Sequence, residues 1–193
     1  PAVQALQERH GSRAQYARMQ ARAGGEIVLG PRERGLLAAA DSFFLATVSE
    51  TGWPYVQHRG GPSGFLVVRS TTQLAFADFR GNRQYVSAGN VEANDRASII
   101  VMNQAQRQRL KLLGHLRFAE VAVADPALAA ALALPGYAAI VERVATFDVV
   151  VFDWNCPQHI TPRYTPAEVE AAARPLHERI AALEAQIAEL RTR

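Results

Sequence analysis

The sequence predicts a mainly β, α+β protein: an antiparallel barrel of six to seven strands, with flanking helices and a long C-terminal helix. Three observations carry this expectation. Short runs rich in β-branched and aromatic residues, separated by tight polar turns, fill the middle of the chain. Regular strand–helix–strand alternation is missing, which argues against a doubly wound parallel sheet. From Pro166 onward the pattern changes to an uninterrupted helical repeat.

The elements follow in order. Residues 1–25 read as one polar helix or helical arm, with Leu6 and Met19 among few residues to bury, ended by Gly24-Gly25. Pro31 is a good first residue for a short alanine-rich helix over Arg32–Ala40. Phe43–Val48 is an apolar run of strand length, Glu50-Thr51-Gly52 turns the chain, and Pro54–Gln57 returns. Phe65–Arg69 and Gln73–Phe76 flank the turn Ser70-Thr71-Thr72. Asn82–Val91 has helical character, and Ala97–Met102 reads as a buried strand. Arg109–Ala124 is β-rich, with Gly114 a bulge or a point of close approach. Asp125 and Pro126 supply an N-cap and a first residue for another alanine-rich helix. Val144–Phe152 is the last long strand. The expected organisation is a helical arm over 1–41, a barrel over 42–164, and a C-terminal helix over 165–193.

In that last helix Val169, Ala173, Leu176, Ile180, Leu183, Ile187 and Leu190 are spaced 4-3-4-3-4-3. This suits either an amphipathic helix packed on its own barrel or a coiled coil with a second copy.

Composition narrows the classes. Of 193 residues, 49% are hydrophobic and 20% charged, ordinary for a globular domain with a sizeable core. No apolar run reaches the roughly 18 residues a membrane helix needs. The polar, basic start lacks the apolar stretch of a secretory signal. One cysteine excludes an internal disulfide and makes a reducing cytoplasm the default. Lys111 is the single lysine, and every other cation is arginine. Arginine suits bidentate anion binding. No motif or aromatic–basic interleaving points to nucleic acid.

Two basic, glycine-rich turns around a hairpin are the first candidate for chemistry. Gln57-His58-Arg59-Gly60-Gly61 offers a guanidinium fork and bare backbone amides to an anion. Asp78-Phe79-Arg80-Gly81-Asn82-Arg83 leads into a helix, whose N-terminus favours negative charge. Each turn alone is also ordinary loop chemistry or an Asn82 N-cap with solvated arginines. Together they point to a phosphorylated ligand. Arg107, Arg109 and Lys111 alternate, which places them on one strand face that is either solvated or set against an anion.

The segment Asp153-Trp154-Asn155-Cys156-Pro157-Gln158-His159-Ile160-Thr161-Pro162-Arg163-Tyr164 crowds functional groups into one loop. Trp154 could stack on a ring, and Gln158 and His159 could hydrogen-bond a heteroaromatic edge. Cys156 with His159 makes an incomplete metal site. His10 and His177 sit in exposed helices, and His115 reads as structural.

The ordered strings FLATVS, GWPYVQHRGGPSGF, LAFADFRGNRQY, NDRASIIVM, RLKLLGH and DWNCPQHITPRY resemble the pyridoxamine 5′-phosphate oxidase-like, FMN-binding split-barrel family, in the branch ending DWNCPQHI. The likeness spans about Ser42 to Tyr164. It implies a split barrel, a homodimer and FMN at the subunit interface, with a small-molecule redox substrate. It places the phosphate-binding strand on Gln57, His58, Arg59, Gly60 and Gly61, and the second segment on Ala77, Asp78, Asn82 and Arg83. Arg109 and Lys111 fall near the flavin ring. Trp154, Gln158, His159 and Arg163 would close the site. The chain has Gly81-Asn82-Arg83 where the oxidases carry Ser-Arg-Lys, and Pro-Arg-Tyr replaces their C-terminal substrate-binding element. FMN therefore stays the expectation and the substrate stays open. The same fold could carry deazaflavin, or haem on His58 or His159. The chain could also bind flavin without turnover.

Overall fold

The computed structural model describes residues 1–22, 27–154 and 158–192. Seven strands form one antiparallel sheet among these residues: β1 (Ser42–Val48), β2 (Pro54–Gly60), β3 (Leu66–Val68), β4 (Gln73–Phe79), β5 (Arg96–Asn103), β6 (Gln108–Glu120) and β7 (Val141–Trp154). Their order is β2-β1-β5-β6-β7-β4-β3. The edge strands β2 and β3 do not pair with each other, so the curled sheet is a split barrel. Pro54 opens edge strand β2, a position where a missing N–H removes no ladder bond.

The barrel interior follows from alternation. Phe43 and Leu45 of β1, Leu74 and Phe76 of β4, Ile99 and Val101 of β5, and Leu110 and Leu112 of β6 are all fully buried. Phe43 stacks on Phe65 at 5.6 Å and meets the edge of Phe76 at 5.0 Å, bridging opposite walls. Strand β4 is buried on both faces. Leu74, Phe76 and Asp78 face inward, while Ala75 and Ala77 pack beneath Leu128 and Leu132 near helix α5 (Pro126–Ala131).

Two of the helices, over Pro31–Ala39 and Val86–Ala93, pack against this barrel. The N-terminal arm is two helices, α1 (Ala2–Arg9) and α2 (Arg13–Arg22), where the sequence predicted one. Gly11 takes a left-handed φ of 72° and breaks the run. The predicted Gly24-Gly25 stop lies outside the described residues. Helix α3 (Pro31–Ala39) buries Leu36 and Leu37, and the Glu33 carboxylate accepts the Gly30 N–H at 2.9 Å. Helix α4 (Val86–Ala93) starts four residues later than predicted and packs on β1, β2 and β6. The Asn90 amide donates to Thr47 Oγ1 at 3.0 Å, a buried pair anchoring α4 to β1. Asp125 caps α5 as predicted, its carboxylate accepting the Ala127 N–H at 3.0 Å. Helix α6 (Pro166–Arg191) buries no residue. Among the described residues, no helix is long and apolar enough to cross a membrane.

Gly114 shows why one glycine is fixed by packing. The β6–β7 register shifts between Leu113 and Gly114, and a Cβ there would collide with the Asp148 carbonyl and lie 2.8 Å from the Phe147 ring. Gly114→Val is expected to destabilise the fold by about 3 kcal/mol or more, read as a lower urea midpoint at unchanged m-value.

Candidate functional site

The first predicted turn is not a turn. Strand β2 continues to Gly60, with Arg59 opposite Phe43 and Gly60 opposite Ser42. The glycine pair reads as a breaker in sequence, yet Gly60 is a paired strand residue. The Gly61 N–H donates to the Asp41 carbonyl at 2.9 Å, so this amide is engaged in holding β2 to the start of β1. A Cβ at Gly61 would press into the Phe65 ring at 2.8 Å, so this glycine serves core packing.

Strand geometry separates the residues by face. Tyr55, Gln57 and Arg59 point one way, His58 the other. On the first face a cleft of about 210 Å³ opens between β2, the end of β4 and the N-terminus of α4. Gln57, Arg59, Asp78, Asn82 and Arg83 all line it, as do Arg143 and Glu142. Arg59 and Arg83 therefore line one cavity.

Asp78 organises the floor. Its carboxylate is 3% exposed and sits between two guanidinium groups that are 15% and 14% exposed. Arg59 Nη1 donates to one oxygen, and Arg143 Nε and Nη2 donate to the other at 2.8 and 2.5 Å. Three charges leave one net positive. Arg59 Nε is buried without a protein partner among the described residues. A buried donor without an acceptor is costly and suits a site built for an anion.

The wall is the loop into α4. Tyr85, the residue before the helix, holds a left-handed φ of 55° and gives no side-chain cap, and Arg83 has a φ of 61°. Non-glycine residues in this region carry strain of order 1 kcal/mol or more each. The predicted cap differs: Asn82 Oδ1 accepts from Gln84 N at 3.2 Å, ahead of the helix. The α4 N-terminus faces the cleft with its dipole positive. Ser87 donates its hydroxyl to Gln57 Oε1 at 3.0 Å, fixing the helix start against β2. Arg83 reaches the Tyr85 hydroxyl at 3.3 Å, a hydrogen bond that raises its already high pKa. Glu142, bonded to Arg80 at 2.7 Å, is held below its ordinary value of 4.5 mainly by that bond.

The other predicted residues lie elsewhere in the protomer. Ala77 turns its side chain under α5. On the outer sheet face, a row runs across five strands through register partners His58, Phe44, Ile100, Lys111 and Asp153. His58 meets the Phe44 ring edge at 5.5 Å and, with Arg163, lines a second cleft of about 360 Å³. Lys111 pairs with Asp153 at 3.4 Å. Arg109 shares that face with a buried Nε lacking a partner among the described residues, whereas Arg107 lies in the preceding turn at a φ of 55°. Trp154 donates to Glu33 at 2.6 Å under the Arg32 guanidinium, so it locks α3 to the end of β7. Gln158 and His159 are exposed, His159 at a φ of 61°. Cys156 is outside the described residues, and none of the described residues form a His, Cys, Asp and Glu cluster able to hold a metal.

Sequence reasoning missed Arg143, Glu142, Tyr85 and Ser87. Arg143 is brought to Asp78 by the β4–β7 register. The signal was Asp78 itself, an acid within the apolar run Leu74–Phe79 that had to find a cation.

The family model described as pyridoxamine 5′-phosphate oxidase matches residues 29–154. The chain belongs to this family. A Lactobacillus delbrueckii structure described as a candidate pyridoxamine 5′-phosphate oxidase is 14% identical, covering 67% of this chain and 97% of its own, with a TM-score of 0.51. An FMN-binding protein from Syntrophomonas wolfei is 10% identical over 76% of this chain and 96% of its own, at a TM-score of 0.48. A structure described as an F420 reductase is 19% identical over 62% and 94%, at 0.43. No curated protein matches the chain significantly.

Two outcomes follow from the cleft. Asp78→Asn leaves two buried guanidinium groups facing each other and is expected to destabilise the protein by about 3 kcal/mol, with added inorganic phosphate restoring more thermal stability to the variant than to wild type. Glu142 has a depressed folded pKa, so its contribution is present above 4.5 and is lost as pH falls through the lower folded value. Urea midpoints measured from neutral to acid pH should fall less steeply for Glu142→Gln than for wild type.

Proposed function

We propose that this chain binds FMN as a homodimer and is an oxidoreductase acting on a small-molecule redox substrate, in the reducing cytoplasm that a single-cysteine protein suits. The observation that carries the reading is the convergence of Arg59, Arg83 and the α4 N-terminus on one cleft. That donor set fits a phosphate monoester: two guanidinium forks, one buried unpaired Nε, and a helix N-terminus without a side-chain cap.

In this reading Arg59 and Arg83 hold the phosphate while Asp78 and Arg143 keep Arg59 in place. Gln57, its oxygen held by the Ser87 hydroxyl, keeps its amide nitrogen free to donate to a ligand in the same cleft. FMN, when bound, would supply the electron-carrying chemistry.

Lys111, Arg109 and His58 occupy the outer face, away from the phosphate cleft of their own protomer. That face also carries Phe44, Val56 and Leu113, which are 43%, 60% and 51% exposed. Exposed apolar area of this kind marks an interaction surface. A two-fold pairing through it would bring the outer-face cations, and the loop with Trp154, Gln158, His159 and Arg163, to the second copy's cleft. Cations near the flavin would favour its reduced, anionic form.

The test compares FMN with riboflavin by fluorescence quenching on full-length protein. Wild type is expected to prefer FMN, and Arg83→Ala to weaken FMN about tenfold or more while leaving riboflavin unchanged. Equal binding of the two flavins by wild type would refute the phosphate assignment. Tight FMN binding with no turnover against any donor or acceptor pair would reassign the chain as a non-catalytic flavin protein. A red-brown rather than yellow purified protein would indicate haem.

A further inference from the structure

We infer that α6 forms a parallel two-stranded coiled coil with α6 of a second copy of this chain. The inference rests on the homodimer proposed above and assigns it a second, separate interface.

The choice left open by the sequence is decided by where α6 lies. It does not pack on its own barrel: no residue of the helix is buried, and Val169, Leu176, Ile180, Leu183, Ile187 and Leu190 are between 39% and 69% exposed. Most of the stability of an amphipathic helix comes from packing its apolar face. The stripe must be covered, and its period says by what. Spacing of 3.5 residues on two positions alone is the narrow seam of a coiled coil, whereas a helix lying on a globular core shows a wider stripe of period 3.6.

The heptad also selects partner and direction. Ala173, Ile180 and Ile187 fall at a, and Val169, Leu176, Leu183 and Leu190 at d. β-Branched a with leucine d favours parallel dimers. In that arrangement g faces e of the next heptad on the other strand. Arg179 at g then meets Glu184 at e of the second copy, an opposite-charge pair made twice by symmetry. The other facing positions, Ala172 with His177 and Gln186 with Arg191, introduce no acidic or basic clash. Pro175 lies at c, off the seam, and α6 runs on past it to Arg191.

The root of α6 is placed for this. Thr165 and Glu168 close a reciprocal capping box, Thr165 N donating at 2.7 Å and Glu168 N donating back at 3.2 Å. Both residues line the second cleft beside Phe44, His58 and Ile100, at the rim of the outer sheet face. Two barrels joined through that face would start their helices close together. The tether raises the effective concentration of one helix for the other and compensates for a short zipper.

Full-length Cys156→Ser/Leu190→Cys tests direction and partner together. Oxidation is expected to link residue 190 to itself across two chains at least about tenfold faster than in a Cys156→Ser/Ala185→Cys control, whose thiol lies at f on the outer surface. Adding Arg179→Glu is expected to slow linkage several-fold, and adding Glu184→Arg to that variant to restore it. Linkage at 190 no faster than at 185, or no restoration by the charge swap, overturns the pairing. FMN titration of the same proteins separates the two readings. Failed linkage with wild-type FMN affinity removes the coiled coil alone, and fast linkage without FMN binding removes the flavin reading alone.

Discussion

The buried carboxylate of Asp78 is the constraint on which this architecture depends. It ties β2 to β4 and β7 across the gap where the barrel fails to close, and it does so through two arginines. Magnitude decides how to read it. Buried ion pairs give little net stability because desolvation offsets their attraction. Breaking one is expensive, because a charge is then left without its partner. The triad therefore acts less as a source of stability than as a device that fixes Arg59 at the floor of the cleft. It also leaves an uncompensated positive charge facing the opening, which is the form a receptor for an anion should take before the anion arrives.

Strand alternation then divides the work between two faces. Residues 57 and 59 look into the cleft, while residue 58 between them looks outward to Phe44. Three strand spacings separate His58 from Lys111 on that outer face, or about 14 Å. The cations expected around a flavin ring are thus on the wrong side of the sheet to serve their own cleft. In the proposed homodimer a second copy would supply them. The exposed apolar side chains on the same face and the root of α6 at its rim supply independent reasons to expect one.

The sequence made the barrel legible because its strands alternate cleanly and its turns carry glycine, proline and aspartate. That Arg59 and Arg83 would line one cleft could also be read, since both sit within two residues of a glycine in basic segments. Three things could not. The Gly60-Gly61 pair looks like a break, but pairing with Ser42 extends β2 to Gly60 and Gly61 donates on to Asp41, a tertiary effect invisible to local pattern. Arg143 meets Asp78 only because β7 lies beside β4, a neighbour relation set by topology over more than sixty residues of chain. Trp154 looks like a stacking surface for a ring, yet its indole N–H had to find an acceptor when half-buried, and Glu33 from α3 was the one within reach.

Phosphorus NMR of FMN bound to the full-length protein reports most directly on whether two arginines clasp one phosphate. Free phosphate monoesters take up a proton near pH 6. A phosphate held by Arg59 and Arg83 should give a resonance displaced from free FMN and constant from about pH 8 down to about pH 5, because the arginines hold it as the dianion. A resonance that titrates like the free ester would contradict the account.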